Sequence, residues 1–365
     1  MGKSTIKLTR RIRLLIDLPT KEEKKEKLDK LYRFQNRCFR AANFIVSHLY
    51  VHEMIKDFFY LSEGVKYKLA DEKKDEEGMF QRSRINTTSR MVCDKFKGEV
   101  PVDVLSSLNN TIQSSFNKNK QEYWQGTQSL KNFKRSIPIP FPPSTMSTIK
   151  HTEDKKAFCF RLFSIPFVTY LGRDHLDKRQ LLTRLVAKEV KLCTSQIQLK
   201  DGKIYWLAVF ELEKEKHPLK PEVIAEATLS LEYPIIVKAN KSKLTIGNKE
   251  EFLYRRLAIQ ASRKRLQLGV SFAKSGKGTK RKLKALTKTE NTERNYVANR
   301  LHVYSRKLID FCVKHQAGTL VLLNQEDKIG IAKEQQFVLR NWNYYELTEK
   351  IRYKAEKAGI EIIID

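Results

Sequence analysis

Val223-Ile224-Ala225-Glu226-Ala227-Thr228-Leu229-Ser230-Leu231 and Thr319-Leu320-Val321-Leu322-Leu323-Asn324 are the two runs that decide the second half of this chain. Both are short, apolar and strand-like. A hairpin and long basic helices separate them. A helix over Tyr344 to Ala358 follows the second run, Gly359 stops that helix, and Ile360 to Ile364 reads as a last strand. Strand, hairpin, helices, strand, helix, strand is an α/β order.

Working back from Val223, His217-Pro218-Leu219-Lys220-Pro221 marks a boundary. Before it, Ala157 to Leu212 reads as β-rich. Phe158, Phe160 and Leu162 alternate there, and Asp201-Gly202 is a hairpin turn ahead of Ile204 to Phe210. Ser136 to Pro143, with prolines at 138, 140, 142 and 143, is another boundary. Between residue 20 and that boundary the pattern is helical. Thr20 and Glu23 form a capping box, and Leu28, Leu31, Cys38, Ala42, Ile45 and Leu49 share one face. A second long helix, Pro101 to Trp124, carries Val104, Leu108, Ile112 and Phe116. Gly64 to Gly78 reads as a charged surface segment. Lys3 to Leu18 reads as a strand in which Ile6, Leu8, Ile12, Leu14 and Ile16 recur at period two among lysines and arginines.

Charge narrows the partner. The chain has 71 Lys+Arg against 42 Asp+Glu, a formal charge of +29, which calls for a polyanion such as nucleic acid. No apolar stretch approaches a membrane span, and Arg10, Arg11 and Arg13 make the N-terminal segment too charged for a signal peptide. The expectation is a cytoplasmic, nucleoid-associated bacterial protein with no membrane partner. The five cysteines, Cys38, Cys93, Cys159, Cys193 and Cys312, have no metal-ligand spacing, and neither metal nor cofactor is expected. The basic residues concentrate between Arg263 and Lys307. Arg263, Lys264, Arg265, Lys280, Arg281, Lys282 and Lys284 are candidates for phosphate contact, opposed by few acids; the alternative is a solvated helix face. Gly276-Lys277 is not a phosphate loop, because Ser271 stands where that motif needs glycine.

Four passages carry a family resemblance. Tyr123-Trp124-Gln125-Gly126-Thr127-Gln128-Ser129-Leu130-Lys131-Asn132-Phe133-Lys134, then Ile137-Pro138-Ile139-Pro140, is similar to a "G-x-x-S-L-x-x-(Y/F)-K … P-I-P" motif. Gly276 to Lys284 is similar to a basic linker. His302, Ser305 and Ile309-Asp310-Phe311 are similar to "N-H-x-x-S … I-V-D-F", with Leu301 in place of the Asn. Trp342-Asn343-Tyr344-Tyr345-Glu346-Leu347 with Ile351-Arg352-Tyr353-Lys354-Ala355 and Gly359-Ile360 is similar to "W-x-(F/Y)-x-x-L … I-x-Y-K-A-x-x-x-G-I". In this order they resemble the TnpB transposon nucleases and the related miniature type V CRISPR effectors. The resemblance implies an α+β multidomain fold: a wedge strand over 1–19, a helical recognition lobe over 20–135, a wedge β-barrel over 136–217 and a RuvC-like (RNase H-like) α/β domain over 218–365.

The departures shape the functional expectation. The family's first catalytic Asp aligns with Thr228, and its second catalytic residue, a Glu, with Leu323. A two-metal phosphodiester site needs converging carboxylates, which neither side chain supplies. The third catalytic Asp and the zinc module before it would fall after Asp365. That combination resembles the TldR proteins, nuclease-dead derivatives that repress transcription under RNA guidance. The implied partners are a guide RNA and a duplex DNA target with a short flanking motif; monomer and homodimer both remain open. Arg33, Arg37, Arg40, Lys131 and Lys134 are further phosphate-contact candidates. Asn109, Gln113, Asn117 and Gln121, spaced by four, form an amide stripe suited to reading the flanking motif. Alternatives are a residual nuclease using Glu226 or Glu232, an RNA-binding protein without DNA targeting, and a decaying transposon fragment.

Overall fold

The computed structural model describes residues 5–61, 84–152, 157–172, 176–229, 233–272, 279–323 and 344–364. The chain forms two compact units, Lys7–Leu212 and Glu213–Asp365 with Met1–Ile6. In chain order the first holds most of β1 (Thr5–Ile16), then α1 (Lys21–Leu61), α2 (Arg84–Lys95), α3 (Val102–Trp124), β2 (Ile139–Phe141), β3 (Lys150–Thr152), β4 (Ala157–Leu162), β5 (Ile165–Tyr170), α4 (Leu176–Val186), β6 (Lys191–Leu192), β7 (Ser195–Lys200) and β8 (Lys203–Glu213). Its sheet runs β2-β7-β8-β1-β5-β4-β3, with β6 paired to β8. The first strand thus lies between strands from much later in the chain, and α1 to α3 are inserted between β1 and β2.

Local chemistry explains the helices. The Glu23 backbone N–H donates to Thr20 Oγ1 at 3.2 Å, and the Thr20 N–H donates to Glu23 Oε2 at 3.3 Å, a reciprocal cap that starts α1. Leu31, Cys38, Ala42, Ile45 and Leu49 are buried along α1; Val104, Leu108, Ile112 and Phe116 are buried along α3. The sheet core is aromatic: Phe141, Phe158, Phe167, Trp206 and Phe210 are fully enclosed, with Phe160 5.1 Å from Trp206 between ring centroids. Truncating Trp206 to Ala would cost about 3–5 kcal/mol by the usual cavity rule. Two elements escape a sequence reading. Helix α4 interrupts the region expected to be β-rich, and it buries only Leu181 and Leu182, too brief a stripe to register as a period. Helix α2 is short and polar. The Gly64 to Gly78 segment lies outside the described residues.

The second unit contains β9 (Lys220–Thr228), β10 (Ile235–Ala239), β11 (Ser242–Ile246), α5 (Lys249–Ser271), α6 (Thr279–Thr289), α7 (Thr292–Lys314), β12 (Ala317–Leu323), α8 (Tyr344–Ala358) and β13 (Glu361–Ile364). Its sheet order is β11-β10-β9-β12-β13. β12 pairs parallel with both β9 and β13, while β10 pairs antiparallel with β9 and β11. Parallel neighbours need a helical crossover, which α8 supplies between β12 and β13. Ala225, Ala227, Leu320 and Leu322 share one core with Leu301, Leu308 and Cys312 of α7 and Leu347, Ile351 and Ala355 of α8. The end of α8 is closed by two bonds, Gly359 N–H to Glu356 O at 3.3 Å and Ile360 N–H to Ala355 O at 2.9 Å, the paired pattern of a glycine-terminated helix.

Candidate nucleic-acid interface

The two strand runs meet side by side. In the β9–β12 register Leu323 is the Cα partner of Thr228, Leu322 of Ala227 and Val321 of Glu226. Side chains alternate across a strand, so Ala225, Ala227 and Leu229 enter the core while Glu226 is exposed and Thr228 half-buried on the other face. The neighbours of Thr228 and Glu226 on β10 are Ile236 and Lys238. A hydroxyl and an isobutyl group thus stand side by side at Thr228 and Leu323, and neither supplies the carboxylate that a two-cation site needs. Among the described residues no group of three or more His, Cys, Asp or Glu could hold a metal ion. The described residues at this position do not fit a two-metal centre. Glu232, Asn324 and Gln325 lie outside the described residues.

Beside this sheet, α5, α6 and α7 carry the basic segment. Lys264, Arg265 and Lys284 are exposed and Arg263 is half-buried. The side chains of Lys280, Arg281 and Lys282, and the Gly276-Lys277 pair, lie outside the described residues. One arginine missed in the sequence is structural: Arg256 is 4% exposed and its Nε donates to Glu293 Oε1 at 2.5 Å, which also accepts from Gln260 Nε2 at 3.0 Å. This network fastens α5 to α7. The motif residues His302, Ser305 and Lys354 converge as well. Lys354 Nζ donates to Ser305 Oγ at 2.8 Å and to the His302 carbonyl at 2.5 Å, joining α8 to α7. Burial, helped by nearby Arg306 and Lys350, brings the Lys354 ammonium down to about 8. The contact uses the Ser305 side chain but only the backbone of His302.

In the first unit, Arg33 and Arg40 are exposed along α1, but Arg37 is committed to Glu99 at 2.9 Å. Lys131 donates to Ser115 Oγ at 2.5 Å, and Lys134 is exposed. The passage holding both is pinned to α1. Asn43 accepts from the Phe133 N–H at 2.9 Å and donates to the Phe133 carbonyl at 3.1 Å, while Gln35 Nε2 donates to Ile137 O at 3.1 Å. The amide stripe needs correction. Asn109 is 1% and Gln113 9% exposed, while Asn117 and Gln121 face solvent. Helix α3 packs against α1, α2 and β2, and the first two amides of the stripe are interior while the last two lie on the surface. The sequence reading also missed two arginine–tyrosine stacks on the outer sheet face. Arg11 lies 3.7 Å over the Tyr205 ring and Arg13 5.1 Å over Tyr170. The basic positions alternating along β1 were the available signal.

No protein-family model matches the chain. Over 275 residues it is 24% identical to the CRISPR-associated endodeoxyribonuclease Cas12f1 of Sulfoacidibacillus thermotolerans, covering 70% of this chain and 64% of that protein. Cas12f1 of Syntrophomonas palmitatica is 26% identical over 205 residues, covering 54% of this chain and 39% of that protein. The matched region is therefore under two thirds of the length of these relatives. A chain of a solved Cas12f1–sgRNA–target DNA complex superposes with a TM-score of 0.69 at 15% identity, covering 99% of this chain and 89% of that one. The protein thus shares the α+β fold of Cas12f1 and is homologous in sequence to the Cas12f1 endodeoxyribonucleases.

Proposed function

We propose that this chain is an RNA-guided, sequence-specific DNA-binding protein that holds its target uncut and represses transcription by occupying a promoter. The observation that carries the reading is the register of Thr228 against Leu323, a hydroxyl beside an apolar group where paired carboxylates would be required. The homology to Cas12f1 and the charge of +29 support guide RNA and target DNA as partners. In this reading residues 1–19 and 136–217 form a wedge barrel, 20–135 a recognition lobe and 218–365 a catalytically degenerate RuvC-like domain, as in TldR proteins. Base pairing with the guide reads the target, and the protein reads a short flanking motif. The complex works in the bacterial cytoplasm on the nucleoid.

A second reading, a residual nuclease, draws on one observation: Glu226 is exposed on the same strand face as Thr228. One experiment separates the two. RNA copurifying with the chain is sequenced, and a duplex matched to it is offered with randomised flanks. Guide-dependent retention of intact duplex and reduced transcription from a promoter carrying the match support repression. Retention of RNA without any matched DNA overturns DNA targeting, and a Mg²⁺-dependent cut abolished by Glu226→Gln overturns the uncut state.

A further inference from the structure

Helix α5 buries only Phe252 and Arg256 along its whole length. Its opposite face is open and strongly aromatic. Tyr254 is 78% and Phe272 76% exposed, with Leu257 at 48% and Leu268 at 49%. Phe272 is the C-cap just past the helix; at 3.6 residues per turn it extends the azimuth of Tyr254 five turns on, about 27 Å along the axis. Ala258, Ala261 and Arg265 fall on the same stripe, and all three are exposed; exposed Arg255 and Lys264 flank it. From Phe252 to Phe272 there is no acidic residue.

This pattern selects its occupant. A second copy of the helix would bring like charges together. A duplex hides its base faces and leaves the rings unused. A single strand offers both complements, base faces for Tyr254 and Phe272 and phosphates for Arg255, Lys264 and Arg265. We propose that this face of α5 binds single-stranded DNA, namely the strand displaced when a guide pairs with a duplex target. The identity of the strand rests on the function proposed above; the single-strand preference does not.

The test uses the RNA-loaded protein and three probes: a fluorescent oligothymidine, a matched full duplex, and a matched target whose displaced strand is omitted. Tyr254→Ala with Phe272→Ala should weaken oligothymidine binding about tenfold or more, since each ring stacks a base. It should weaken full-duplex binding in the same direction and leave the target without a displaced strand unchanged. Tyr254→Phe should restore binding, and the melting profile of each variant reports intact folding. Equal losses on both matched targets would move the contact to the guide–target heteroduplex and overturn the proposal. So would unchanged oligothymidine binding, the result expected if the stripe serves a protein partner. If the unaltered protein binds neither matched target yet the oligothymidine effect stands, the guided function fails while the single-strand site survives.

Discussion

Replacing Arg256 should loosen α5 from the second unit. The guanidinium is 4% exposed and paired with Glu293, whose side chain is 24% exposed. Arg256→Ala leaves Glu293 with the Gln260 amide and removes the packing of the arginine stem. A fully buried broken pair costs about 3–5 kcal/mol; the partial exposure of Glu293 lowers that to about 2–3 kcal/mol. For a unit of this size that is a fall in melting temperature on the order of 5–10 °C. Removing both charges, Arg256→Met with Glu293→Leu, should recover much of the loss, because no unpaired charge remains. Thermal unfolding by circular dichroism, with limited proteolysis to show which unit opens first, reads the effect. A single substitution that leaves the melting temperature within a degree would refute a stabilising role for the pair.

Other consequences can be measured as directly. Gly247 has φ of +82°, and a Cβ there would lie 2.6 Å from Pro234 Cγ and 2.9 Å from the Tyr304 ring, so Gly247→Ala should destabilise the second unit by about 2 kcal/mol or more in urea unfolding. Lys354 is held at about 8 when folded and returns toward 10.5 when unfolded. Between those pH values the unfolded state binds more protons, so this group makes stability rise with pH across that window and contributes no slope below it. Lys354→Met should remove that increment, and an unchanged difference in melting temperature between pH 8 and 10 would exclude it. Changing Lys264, Arg265 and Lys284 to Ala should reduce the salt dependence of nucleic-acid affinity by roughly one unit of slope per lost phosphate contact; an unaltered slope would return them to solvent. Asn117→Ala with Gln121→Ala should relax flanking-sequence choice in a randomised-library selection, by about 1–3 kcal/mol per lost base contact, while guide binding is kept.

What the sequence disclosed followed from locality. The Thr20–Glu23 cap, the Asp201-Gly202 hairpin and the closure of α8 before Gly359 each depend on residues within a few positions, and each is legible as a spacing. Thr228 and Leu323 each stand in an apolar run legible as a strand, but their register against one another was not legible, because strand pairing is set by the fold between them. Other features joined distant residues and left no local mark. Asn109 and Gln113 are chemically indistinguishable from Asn117 and Gln121 until α1, α2 and β2 cover them. Arg37 looks as available as Arg33 until Glu99 arrives from sixty residues away. Arg256 sits in a basic run that reads as surface, yet Glu293 draws it inside. Polar residues that build an interior and polar residues that grip a ligand share one composition, and only packing separates them.

The most direct measurement is a cleavage assay with the RNA-loaded protein, a fully matched duplex and Mg²⁺ or Mn²⁺, run beside a mobility-shift assay on the same complex. With Thr228 and Leu323 at the paired strand position, the duplex should be shifted and recovered intact over hours. Guide-dependent nicking or cutting that needs the divalent cation and disappears in Glu226→Gln would contradict the account.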